Sequence, residues 1–315
     1  MSTPDVSTTP FQQALAALAR GEQGELDHLL LSYETPLNLD GTRTTVRTHF
    51  LAVDANGMPA VDRLAEAMAV AAMEFCVPRS RIQHAATKMT ETGSPSYFAR
   101  LEKQAKELFV DADGTGEGGE LLLFLLMERV LKLPQLLAKM SLKTNSNMHV
   151  HGSDGVHAQI GTDGVLELSW GESKLYGDIS KAIKDCFESI APFLADIDES
   201  RKRDLLLIRD NLNVDNEELA THVLEYFDET NSKSLDVRWH GVCLIGFNYA
   251  SYPNLKKLAA NESEKISKAV ARWHKAVSGR VGDHSLVDVN IEVFCIPFPS
   301  VDALRKSVRK NLGIA

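Results

Sequence analysis

The chain has 315 residues, 44% apolar and 24% charged. These are the proportions of an ordinary folded protein, and they exclude a collagen, a coiled-coil rod and a wholly disordered tail. Acidic residues number 43 against 34 basic ones, a net charge of −9 with histidine neutral, so nucleic acid cannot be held by bulk charge and any contact needs local basic patches, metal ions or a partner.

The length suggests two domains or one large one, with a core that needs no disulfide or metal to fold. Residues 1–9 are rich in Ser, Thr and Pro and read as a disordered tail. They lack the basic segment and apolar stretch of a secretory signal. A helix is expected over 11–20, stopping at Gly21, then a β-branched strand over 44–53 and an Ala/Met-rich helix over 62–75. The stretch 80–89 is ambiguous. Ser94-Pro95 starts a helix running to about 109, with Ser94 as cap and Pro95 at the first position. Residues 111–120 resemble a calcium loop, but with Asp111 first the twelfth position is Leu122, where a bidentate Glu is needed. The segment reads as a linker and as the boundary between an N-terminal region (10–116) and the remainder (117–315).

A helix apolar on most faces follows over 120–133. Its strongly apolar run, Leu121 to Met127, is far short of a membrane span. Strands are expected over 150–160 and 165–175, joined by the hairpin turn Gly161-Thr162-Asp163-Gly164. Helices follow over 178–195, which Pro192 must end or kink, 199–209 and 216–227. Strands over 237–249 and 287–298, and helices over 261–277 and 301–311, complete the pattern. The four cysteines, Cys76, Cys186, Cys243 and Cys295, lie far apart among apolar residues. That spacing excludes a zinc ribbon and fits buried free thiols in a reducing cytoplasm. The expectation is an α/β (α+β) protein, soluble and cytoplasmic, with a mixed central sheet flanked by helices and a mainly helical N-terminal region packed against it.

The chemistry concentrates between residues 139 and 176. Asp154 stands in His151-Gly152-Ser153-Asp154-Gly155-Val156-His157, and Glu172 and Lys174 in Trp170-Gly171-Glu172-Ser173-Lys174. Residues two apart on a strand share a face, so Glu172 and Lys174 project with Leu166, Leu168 and Trp170. An apolar face ending in Glu-x-Lys is costly unless the pair is matched or binds a metal. The hairpin brings Asp154 beside Glu172, and a divalent cation relieves the repulsion of two carboxylates. Mg²⁺ (or Mn²⁺) on Asp154 and Glu172 is the expected cofactor. Lys174 would orient or deprotonate water, or stabilise the phosphate. This is the Asp…Glu-x-Lys arrangement of the restriction-endonuclease-like, PD-(D/E)xK nucleases. They commonly add an acidic residue on a preceding helix. Glu120 stands at about the right distance, as a metal ligand or as a carboxylate complementing the helix dipole. Glu128 is a weaker candidate.

Other readings stay open. His149, His151, Asp154 and His157 could form a zinc site for hydrolysis, or the histidines could be surface or supporting groups. Lys139, Lys143 and Asn145 could meet phosphate or line a solvated loop. The basic stretches 265–275 and 305–310, and Lys181, could track a DNA backbone, bind a partner or simply be solvated.

At Gly152-Ser153-Asp154-Gly155-Val156-His157 and Gly171-Glu172-Ser173-Lys174-Leu175-Tyr176 the chain resembles the HamA family, the nuclease effectors of the bacterial Hachiman anti-phage system. The resemblance covers about residue 46 onward. It implies a restriction-endonuclease-like fold, metal-dependent DNA cleavage and a partner helicase of the HamB kind that restrains the nuclease until DNA is sensed. By matching motif, Asp154 and Glu172 would hold the metal, Lys174 would serve the nucleophile, and Glu120 would join them. A catalytically inert adaptor of the helicase is the remaining alternative.

Overall fold

The structure is a computed structural model that describes residues 9–22, 24–109, 116–143, 152–195, 199–250 and 252–314. Residues 1–8 of the expected tail and 110–115 of the expected linker lie outside these. Helix α1 (Pro10–Ala16) starts at Thr9, whose side chain and that of Gln12 satisfy each other's backbone N–H in a capping box. A short α2 (Gly24–Asp27), strands β1 (Leu30–Ser32) and β2 (Leu37–Asn38), and the longer β3 (Thr44–Leu51) follow. Three helices come next: α3 (Val61–Cys76), α4 (Arg79–Thr92) over the ambiguous stretch, and α5 (Ser96–Glu107). Pro95 is the cap position of α5 rather than its first residue, and the Ser94 hydroxyl accepts from Ser96 N–H at 3.3 Å. Helix α6 (Glu117–Leu125) starts one turn before Glu120 and runs into a π turn at Leu126–Val130.

Strands β4 (Gly155–Ile160) and β5 (Leu166–Tyr176) form the expected antiparallel hairpin. Helix α7 (Ile179–Leu194) is capped by Asp178, whose carboxylate accepts from Lys181 N–H. Pro192 does not stop it: the helix runs on through its last turn. Then come α8 (Glu199–Asp210), α9 (Glu217–Glu225), β6 (Val237–Asn248), the long α10 (Ala260–Asp283), β7 (Ile291–Phe298) and α11 (Val301–Leu312). The short β1 and β2 carry too few residues to show a pattern, and the sequence did not reveal them.

The strands form one mixed sheet in the order β1-β3-β7-β6-β5-β4, with β2 also on β3. The inner pairs β3–β7, β7–β6 and β6–β5 are parallel; β1, β2 and β4 pair antiparallel at the margins. Strand β3, from the N-terminal region, therefore lies in the same sheet as β5. The inner strands are buried on both faces, which is why β6 and β7 read as continuous apolar runs. Alternation splits them cleanly. Val242, Leu244, Phe294 and Ile296 pack under α3, α6 and α11, whereas Cys243, Ile245, Val293 and Cys295 pack under α7 and α10. A third cluster joins Leu166, Leu168 and Trp170 of β5 to Val156, Phe193, Ile208 and Val223. All four cysteines are buried and free.

A buried polar network ties the N-terminal region to the π turn. The Glu128 carboxylate, 1% exposed, accepts from the backbone and guanidinium of Arg20, from Arg79 Nη2 at 3.2 Å and from Gln135 N–H at 2.9 Å. Burial pushes the Arg79 guanidinium down, with Arg20 adding to the push, to about 10. On Glu128, burial raises the carboxyl but the charges of Arg20, His157 and Arg79 outweigh it and hold it below its ordinary value. Such a network is costly to desolvate, so its value lies in fixing one arrangement.

Candidate active site

The site forms where β4 stops and β5 continues. The register pairs Gly155 with Gly171, and beyond it the chain leaves the sheet while β5 extends to Tyr176. Asp154 is the first residue off the ladder, and its N–H still donates to Gly171 C=O at 2.9 Å. Its carboxylate turns onto the next rung, accepting from both the N–H and the hydroxyl of Ser173 at 2.7 Å. Glu172 and Lys174 share the opposite face of β5. Glu172 is 5% exposed, and Lys174 Nζ donates to its Oε1.

Helix α6 reaches this edge because two glycines remove the spacer between helix and strand. A Cβ on Gly119 would stand 2.9 Å from Ser173 Oγ, and one on Gly171 2.9 Å from Leu123 Cδ2. Half-buried Glu120 is thereby placed against Asp154. Burial, then the Asp154 charge, raises the Glu120 carboxyl to about 8 and the Glu172 carboxyl to about 7. On Lys174, burial lowers the ammonium, but the charge and hydrogen bond of Glu172, with Asp154 behind it, outweigh burial and hold it well above the ordinary lysine value. Lys174 thus stays protonated across the physiological range.

Glu120, Asp154 and Glu172 are the donors that could hold a hard divalent cation. Among the described residues no three His, Cys, Asp or Glu side chains stand as a ready-made metal group: Glu172 is turned onto Lys174 and Asp154 onto Ser173. The chemistry of the set fits Mg²⁺ or Mn²⁺, since Glu120 and Glu172, raised by burial and by the Asp154 charge, would be stabilised as carboxylates by a cation beside them.

The Glu120 carboxyl, raised from 4.5 to about 8, contributes stability that is full below pH 4.5 and lost as pH rises through 8. Glu120→Gln removes that slope. It should raise stability by about 2–4 kcal/mol at pH 8 in chelator, an order-of-magnitude figure. Urea unfolding at pH 5 and pH 8 checks this; equal stability of the two proteins at pH 8 would contradict it.

The structure separates other candidates from the site. His157 is buried under α6, its Nδ1 2.8 Å from Leu133 C=O and its ring beside Phe124. Burial lowers it to about 4. It belongs with the Glu128 network, so the zinc reading loses that ligand; His149 and His151 lie outside the described residues, as does Asn145. Glu128 is committed to two arginines. Lys143 is buried against Glu117 and so does not present itself to phosphate. Lys139 instead donates to Ser153 C=O. Lys181 lies over the Tyr176 ring at 4.4 Å and pairs with Asp185, and Arg305 of the basic α11 donates to Leu175 C=O. Lys265, Lys268 and Arg272 of α10 line an open groove of about 740 Å³ with Tyr249. Sequence reasoning missed Ser173, visible only as the residue inside Glu-x-Lys.

Among the described residues no helix is long and apolar enough to cross a membrane. In comparisons with known proteins, a family model described as HamA matches residues 27–312. No curated protein matches the chain.

Proposed function

Since the chain belongs to the HamA family of the Hachiman anti-phage defence system, we propose that it is the DNA-cleaving effector of that system, a metal-dependent deoxyribonuclease that works with a partner helicase. One observation supports the reading: at the open end of β5 the Asp154 charge acts on Glu120, Glu172 and Lys174 alike, in the Asp…Glu-x-Lys pattern of phosphodiester-cleaving enzymes.

Glu120, Asp154 and Glu172 would hold Mg²⁺ (or Mn²⁺). When bound, the ion lowers the pKa of a coordinated water and neutralises charge on the phosphate. The chain's own groups do the rest. Ser173 holds one oxygen of the Asp154 carboxylate, Oδ2, with two hydrogen bonds, so the group is fixed in place while its other oxygen would be left for the ion. Lys174 keeps its proton because Glu172 stabilises the charge; its role is to donate to the phosphate as negative charge grows, rather than to act as base. The acidic net charge leaves DNA delivery to local cations and the partner.

The test is degradation of plasmid DNA by the chain purified with its helicase partner. Degradation is expected with Mg²⁺ and none with chelator. Equal degradation in both would remove the metal from the reading, and none with Mg²⁺, Mn²⁺ or other divalent ions would remove the nuclease.

A further inference from the structure

We propose that Asp204 is a positioning residue for this site, setting the turn at Gly152 and Ser153 that aims Asp154. The proposal rests on reading Asp154 as a metal-holding carboxylate. Asp204 lies on α8, one turn before the fully buried Ile208, so the face of α8 that packs over the β4–β5 hairpin also carries a carboxylate. It is 1% exposed. Its Oδ2 accepts from Ser153 N–H at 3.2 Å and from Ser153 Oγ at 3.1 Å. Its Oδ1 has no hydrogen-bond partner among the described residues, and Arg203 Nε stands 3.9 Å off. A carboxylate buried this deeply is expensive, and packing alone would be served by an apolar residue.

Its placement explains the expense. Ser153 is gripped from both sides: Asp204 takes its N–H, and Lys139 donates to its C=O. The next N–H, that of Asp154, goes to Gly171, and the Asp154 carboxylate goes to Ser173. Every polar backbone group from Ser153 N–H to Asp154 N–H is thus fixed, leaving Asp154 one direction. Gly152 fits the same device. Its φ is +122°, and a Cβ there would stand 2.9 Å from Asp204 Oδ2.

The test compares Asp204→Ala with Asp204→Asn in the full chain. Two readouts are used: the Mg²⁺-induced rise in unfolding temperature of the chain itself, and the Mg²⁺ dependence of plasmid degradation with the partner present. Asp204→Ala should need about ten-fold more Mg²⁺ or beyond for half-maximal response in both, and Asp204→Asn, whose amide oxygen still accepts from Ser153, should return to within about three-fold of wild type. Wild-type Mg²⁺ dependence in a folded Asp204→Ala protein overturns the proposal. So does an Asn variant as impaired as Ala, which would mean that Asp204 acts through charge alone. Should Asp204→Ala not fold, Ser153→Ala removes one of the two donors: a raised Mg²⁺ requirement supports the clamp and an unchanged one overturns it. A wild type that ignores both Mg²⁺ and Mn²⁺ in both readouts sinks the metal reading of the site and this proposal together. A wild type that responds, with variants that match it, sinks this proposal alone.

Discussion

Glu172→Ala and Lys174→Ala are each expected to slow plasmid degradation by the assembled complex about 10³-fold or more, some 4 kcal/mol of lost transition-state stabilisation. Glu172 is both a proposed metal donor and the group that keeps Lys174 charged. Among the described residues, Lys174 is the cation hydrogen-bonded within the carboxylate cluster, through Glu172. Because they act as a unit, the double variant should be little slower than either single one. Lys174→Arg is the informative control. If the lysine works as a fixed positive charge, the guanidinium should recover part of the rate. If it works as a base, arginine should recover none, since it does not deprotonate. Degradation at the wild-type rate by Glu172→Ala would show that cleavage happens elsewhere.

The second large effect is on stability. Glu128→Ala leaves the buried Arg79 and the half-buried Arg20 facing each other with no carboxylate between them, and should cost about 3–5 kcal/mol. Urea unfolding should show a lowered midpoint with an unchanged slope. Replacing Glu128 and Arg79 together by methionine should recover much of the loss, because most of the penalty is the stranded charge rather than the pair itself. A single-variant cost below about 1 kcal/mol would mean that water reaches the network.

The elements proposed to carry chemistry were legible because they are local. The turn at residues 161–164 and the period-two alternation from Leu166 to Trp170 define the hairpin, and the hairpin alone brings Asp154 beside Glu172 and Lys174. Glu120 was legible from its place before the strand, although its helix starts earlier than its apolar run suggests. What stayed hidden is what no periodicity encodes. The π turn shifts the face of the helix and buries Glu128 and Arg129 where solvent would be expected. Lys143 lies in a stretch that reads as open loop, and its pairing with Glu117 is a tertiary fact. Asp204 sits in a helix so charged that one buried carboxylate cannot be told from its solvated neighbours. The sheet order was equally silent, since β3 meets β7 only through tertiary packing.

That order sets when the sheet can close during synthesis. β7 lies between β3 and β6, and β6 is the parallel support of β5. The ladder that joins Thr44 to Ile291 and Gly241 to Ile291 therefore cannot close until translation has passed residue 298. Contacts of such sequence separation form late and slowly. The hairpin bearing Asp154 and Glu172 emerges early, yet through much of elongation it has no sheet to lie on, no α10 beneath that sheet and no α8 to set its turn. On the proposed function, a nascent chain would carry the Asp154 and Glu172 motif without the sheet that supports it, and cleavage would await the finished fold.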